Sequence, residues 1–128
     1  MKLARLLLPT SLVFVLAACT SGGFSYTGSW SGTINDSVAG AGTITASLAQ
    51  SGSTFAGTWQ AVFSSGTNGG SLTGTVNGTS VIVDLEPSST SACPYNVVAS
   101  RSGSQLSGNY SAYNCTGTIT GTLSITKQ

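Results

Sequence analysis

Three patterns in this chain point to an all-β architecture: eight antiparallel strands in an up-and-down meander, closed into a barrel. Apolar and polar residues alternate with period two beyond residue 25, and no stretch there carries the 3.6-residue period of an amphipathic helix. Glycine-centred turns punctuate the alternation at short intervals. The chain also repeats itself. Residues 51–61 match 102–112 at a shift of 51, and Leu72–Val76 matches Ile119–Leu123 at a shift of 47. A duplicated four-strand unit accounts for both matches. Two propeller blades would give a similar period but cannot close a propeller.

The strands follow in order from their dry faces. The first runs near Tyr26 to Ile34, with Gly28, Trp30, Gly32 and Ile34 on one side. The second is marked by Ile44, Ala46 and Leu48, and the third by Phe55, Gly57, Trp59, Ala61 and Phe63. Leu72, Gly74 and Val76 mark the fourth; Val81, Val83 and Leu85 mark the fifth. The last three carry Tyr95, Val97 and Ala99, then Leu106, Gly108, Tyr110 and Ala112, then Ile119, Gly121, Leu123 and Ile125. Opposite faces are mostly Ser, Thr, Asn and Gln, so each strand has one wet side.

Asn77-Gly78 is the strongest hairpin signal, and centring a two-residue turn there sets Leu72 against Val83 and Gly74 against Val81. Gly66–Gly70 reads as a loose hairpin loop. Closure removes the exposed edges of an open sheet, and inward glycines let a small barrel curve while admitting a neighbour's ring. A two-sheet sandwich is the alternative.

Two cysteines, Cys93 and Cys115, lie in this region. Pairing the apolar faces of strands six and seven sets Val97 opposite Tyr110 and Tyr95 opposite Ala112. Extending that register brings Cys93 beside residues 114 and 115, which predicts a disulfide.

The amino-terminal region has a different character. Lys2 and Arg5 precede an apolar run from Leu6 to Ala17, and Leu16-Ala17-Ala18-Cys19 follows. The run is too short to span a bilayer. This order resembles a bacterial lipoprotein signal ending in a lipobox. The resemblance implies cleavage before Cys19, a diacylglyceryl group on its Sγ as the membrane contact, and acylation of the new amino terminus. An ordinary secretory signal cut near Ala17 or Ala18 is the alternative. The expected organisation is a signal peptide at 1–18, a lipidated cysteine and tether at 19–25, and a barrel domain at 26–128. The resemblance also implies a cell-envelope location. Thr20 in place of aspartate favours the outer membrane in a Gram-negative source.

Without residues 1–18 the chain has 110 residues with five charged side chains: Asp36, Asp84, Glu86, Arg101 and Lys127. Nothing here forms the basic stripe a nucleic-acid partner requires. The chain has no histidine, which excludes His-dependent triads and leaves a zinc site short of ligands. No metal or cofactor is expected. Asp84 and Glu86 share the outer face of one strand, where they serve solubility better than catalysis. The expectation is a protein that is not an enzyme.

Gly28-Ser29-Trp30 and Phe55-Ala56-Gly57-Thr58-Trp59 resemble motifs of small calycin-type barrels, the avidin-like ones in particular. By strand count the resemblance covers the whole domain; by residue it covers these two motifs. It implies a ligand pocket within the barrel. Gly32, Asp36 and Ala61 stand where biotin-binding members carry polar ligands to the ureido group, so biotin itself is not implied. Trp30, Trp59, Tyr95 and Tyr110 are the candidate lining of a small-ligand pocket, with an ordinary filled core as the alternative. Arg101 is the candidate contact to an envelope protein. The expected role is a binding or structural module, or else an inhibitor of a lysozyme or protease acting through barrel-end loops. A filled core is the expected interior, and an ordered protruding loop at 64–70 or 87–92 would favour a protein partner.

Overall fold

The computed structural model describes residues 23–89, 92–112, 115 and 117–128. Cys19 and the expected signal lie outside them. Eight strands run in chain order: β1 (Gly28–Asp36), β2 (Gly40–Ser51), β3 (Thr54–Phe63), β4 (Gly66–Asn77), β5 (Ser80–Pro87), β6 (Tyr95–Ser102), β7 (Gln105–Ala112) and β8 (Thr120–Lys127). Each pairs antiparallel with the next, and β8 returns to β1 from Trp30↔Lys127 to Asp36↔Gly121, closing the barrel. The sandwich alternative is thereby excluded, because every strand belongs to one closed sheet.

Alternation places the apolar residues inside. Ile34, Leu48, Phe55, Leu72, Val97 and Leu106, one from each of six strands, are all buried. Burying a side chain of that size contributes roughly 1.5–3 kcal/mol. Large residues sit opposite inward glycines on adjacent strands. The Phe55 ring occupies the space a side chain at Gly74 would need, and the Tyr110 ring does the same over Gly121. The small barrel fits such rings into its core by setting glycines beneath them. The outward faces carry Ser and Thr, with a few exceptions such as Val62, Ile82 and Val98. That polar exterior is the reverse of the apolar band of a membrane-spanning barrel.

The β4–β5 register differs from expectation by two residues. Asn77 pairs with Ser80, so the loop is Gly78-Thr79, and Leu72 faces Leu85 while Gly74 faces Val83. Gly78 takes the first loop position with φ 64°, where a side chain would be strained, and Asn77 stays in the strand. A shift of two preserves the inward face, so the apolar matching survives it. The second correction concerns Gly66–Gly70. This segment is not a loop but the start of β4, paired with Trp59–Phe63 of β3. Its five residues gain full ladder pairing along a long β3, which outweighs their weak strand propensity. Only Ser64 and Ser65 separate the two strands.

Three turns at one end, after β2, β4 and β6, hook onto later strands. The carbonyls of Ser53, Thr79 and Ser104 accept the amides of Val76, Arg101 and Lys127 at 2.8–2.9 Å. These bonds satisfy turn carbonyls that would otherwise end the ladder.

Candidate functional site

The two ends of the barrel are chemically different. At the end carrying the three hooked turns, the segment before β1 folds inward as a plug. Tyr26 is 1% exposed and stacks between Trp30 and Phe55, with ring centroids 6.0 and 5.4 Å away. The Trp30 indole donates to the Tyr26 carbonyl at 2.9 Å, and the Tyr26 amide donates to Gln50 Oε1 at 2.7 Å. Tyr26 was expected to open the first strand; it instead precedes it as the barrel's stopper. Phe24 lies outside Tyr26 and is gripped by two cations. The Arg101 guanidinium sits 4.3 Å from its ring centroid and the Lys127 ammonium 5.3 Å. Lys127 also donates to the Ser25 carbonyl at 2.8 Å, and Arg101 to the Gly103 carbonyl at 2.9 Å. Arg101, the candidate partner contact, is therefore engaged by the chain's own amino-terminal segment.

The opposite end is tied by the Cys93–Cys115 disulfide, with Cα atoms 5.9 Å apart. The predicted register of β6 and β7 is the one observed, with Tyr95 facing Ala112 and Val97 facing Tyr110. This bond staples the loop entering β6 to the loop leaving β7.

At the same end lies a small pocket, mostly apolar in its lining, with Asp36 and Asn68 among its residues. Inward alternation carries β1 past Ile34 to Asp36, β4 back from Leu72 to Asn68, and β6 and β7 to Tyr95 and Tyr110. Trp59 and Phe63 of β3 complete the wall, and Ile34, Ala61 and Leu85 form the floor. The Tyr110 hydroxyl donates to Asp36 Oδ2 at 2.6 Å across the β7–β8–β1 seam. Asp36 Oδ1 accepts the Val38 and Ala39 amides, both at 2.9 Å, and so shapes the turn into β2. Tyr95 stands edge-on to both Tyr110 and Trp59, with centroids 5.5 and 6.3 Å apart. The Trp59 indole donates to the Ser71 carbonyl at 3.0 Å.

The electrostatics follow from these contacts. Burial pushes the Asp36 carboxyl upward, but the Tyr110 hydroxyl and the Ala39 and Val38 amides outweigh it and hold the group below its ordinary value. Tyr110 moves strongly upward through burial, then through its bond to Asp36 and the negative charge there. Tyr95 moves up for burial and the Asp36 charge, against a smaller opposing effect from Asn68. The site thus holds an ionised carboxylate beside two neutral phenols at neutral pH.

The structure brings Trp59, Tyr95 and Tyr110 together and places Trp30 at the other end, 1% exposed beneath the plug. The cavity they line is ≈ 20 Å³, about the room one water molecule needs. The sequence places Asp36 at a ligand position only through the resemblance to biotin-binding barrels, and it gives Asn68 no role. Continuing the first strand's alternation by one more step would have put Asp36 inside; Asn68 was hidden by the loop reading of Gly66–Gly70. No groups of carboxylates and cysteines able to hold a metal ion occur among the described residues. No helix there is long and apolar enough to cross a membrane. Comparison with known proteins adds no assignment: no protein-family model matches the chain, and no curated protein matches it.

Proposed function

We propose that this protein is a lipid-anchored envelope lipoprotein whose non-catalytic barrel presents its disulfide end as a contact surface for another envelope protein. The carrying observation is the filled interior. A cavity of ≈ 20 Å³ offers no room for the small-molecule ligand that barrels of this strand number otherwise enclose. Recognition then falls to the ends and the outer face.

The plug supports the choice of end. Cys19 is five residues upstream of Phe24, a reach of at most about 18 Å at 3.3–3.6 Å per residue. A lipid on Cys19 therefore keeps the plugged end near the bilayer, with Arg101 and Lys127 towards its headgroups. The disulfide end faces away. There Val38, 74% exposed in the β1–β2 turn, stands beside Asp36 at the pocket. The calycin-like resemblance contributes the scaffold to this reading and no ligand. An outer-membrane position follows if the source is Gram-negative. An inhibitor of a lysozyme or protease would use the same disulfide-stapled end.

The test has two arms. Labelled palmitate should enter the wild-type chain and not the Cys19→Ser variant, which should leave the membrane fraction. A photo-crosslinking residue at Val38 should capture a discrete envelope protein, and one at Ser53 on the plugged end should not. An unlabelled wild-type chain would overturn the anchor. A small molecule extracted in stoichiometric amount from inside the native barrel would overturn the contact role.

A further inference from the structure

We propose that the pocket at the disulfide end is a binding site for a primary ammonium group, with Asp36 Oδ2 as its charge partner and the rings of Tyr95, Tyr110 and Trp59 as its walls. The source is either a lysine side chain of a protein partner or a free alkylamine. The first source deepens the contact role proposed above; the site itself does not depend on it.

Charge placement is the first argument. Arg101 and Lys127 are the two cations among the described residues, and both are spent on Phe24 and its neighbours at the plugged end. Asp36 keeps its charge at the opposite end on hydrogen bonds alone: two amides on Oδ1 and one hydroxyl on Oδ2. A carboxylate offers about four lone-pair positions. Three are used, and the fourth belongs to Oδ2, the oxygen on the Tyr110 side. The Tyr110 hydroxyl spends its proton on Asp36, so its own lone pairs are left to accept from a donor in the pocket.

Size and shape select the donor. The cavity of ≈ 20 Å³ fits a water-sized head. A primary ammonium meets that limit; a guanidinium plane or a trimethylammonium does not. The edge-on rings of Tyr95 and Tyr110, at an interplanar angle of 89°, form a corner. A cation within about 6 Å of an aromatic face gains attraction from the ring, more so where water is excluded. A neutral head of equal size gains neither this nor the Asp36 charge. An anion is repelled by Asp36.

The test is a titration of the purified full chain in detergent micelles, followed by NMR of the aromatic and backbone signals. Methylammonium chloride should give saturable shifts at Asp36, Tyr95 and Tyr110. Sodium chloride at equal ionic strength and tetramethylammonium chloride should not. Asp36→Asn should weaken methylammonium binding at least tenfold while keeping an oxygen for the Val38 and Ala39 amides. If that variant fails to fold, Tyr95→Leu should weaken binding several-fold by removing one wall. Unsaturable shifts, equal shifts with tetramethylammonium, or undiminished binding in the folded variant would overturn the site. N-acetyl-lysine methylamide binding more than threefold tighter than methylammonium assigns the source to a protein side chain; equal binding assigns it to free amines. Crosslinking from Val38 without methylammonium binding would remove the ammonium site and leave the contact role standing.

Discussion

Removing the Cys93–Cys115 bond with paired serine substitutions should cost about 3 kcal/mol. The two cysteines are separated by 22 residues. Closing a loop of that size removes chain entropy worth about 3.4 kcal/mol at 25 °C from the unfolded state, before any native strain is subtracted. The β6–β7 hairpin inside the loop has its own short turn, Gly103-Ser104, and eight paired positions from Tyr95↔Ala112 to Ser102↔Gln105. Some of that order survives in the unfolded ensemble and trims the entropic gain, which is why the expected loss sits near 3 kcal/mol. Guanidinium denaturation should show a lower midpoint with a steeper slope, because the uncrosslinked chain exposes more surface when unfolded. A melting temperature lower by roughly 15 °C corresponds to the same loss. Amide exchange should localise the change. The Ala112 amide, bonded to the Ile119 carbonyl, should lose protection, whereas the Arg101 amide on the Thr79 carbonyl at the far end should change only with global stability. A loss below about 1 kcal/mol would refute the reasoning, since it would mean that the hairpin alone already holds both loop ends together.

Two further outcomes follow from the barrel's ends. Tyr26→Ala should destabilise by about 3 kcal/mol or more, the usual cost of emptying a buried aromatic site, and should expose Trp30 to fluorescence quenchers; unchanged quenching would mean that Phe24 alone seals that end. The Asp36–Tyr110 pair should give the stability profile two limbs. Asp36 is lowered on folding, so its contribution is complete above about pH 4 and fades as acid protonates the folded carboxylate; Tyr110 is raised, so its contribution is complete below about pH 10 and fades as the unfolded phenol ionises. Denaturation midpoints across pH 2–11 should show both limbs, with Tyr110→Phe flattening the alkaline one except for the part due to Tyr95.

Most of the fold was readable from the alternation because an eight-strand meander has one repeating physical rule: inward residues are apolar or glycine, and neighbours pair in sequence. The β6–β7 register was readable because the Ser102-Gly103-Ser104 turn and the two cysteines agree on one of the alignments that apolar matching allows. The β4–β5 register slipped because two alignments that differ by two residues both match apolar to apolar and both put a glycine in the turn. Gly66–Gly70 was misjudged because its strand character comes from β3 and not from its own residues. The pocket was half visible. Its aromatic rings carry a strong hydrophobic signal, whereas Asp36 and Asn68 are polar residues that face inward only because they stand at the rim, where burial ends. Nothing local announced the plug: Tyr26 continues the parity of Trp30, and its departure from the strand depends on Gln50 and Phe55 reaching it from β2 and β3.

Residues 23 and 128 leave the barrel together, with the Gln128 amide bonded to the Ser29 carbonyl at 2.8 Å. Tension applied between these two residues would peel β8 from β1 one hydrogen bond at a time, like opening a zip. Tension between the tether and an object held at the disulfide end would instead run lengthwise along the strands and load many bonds at once. The same molecule is thus mechanically soft to one pull and stiff to the other.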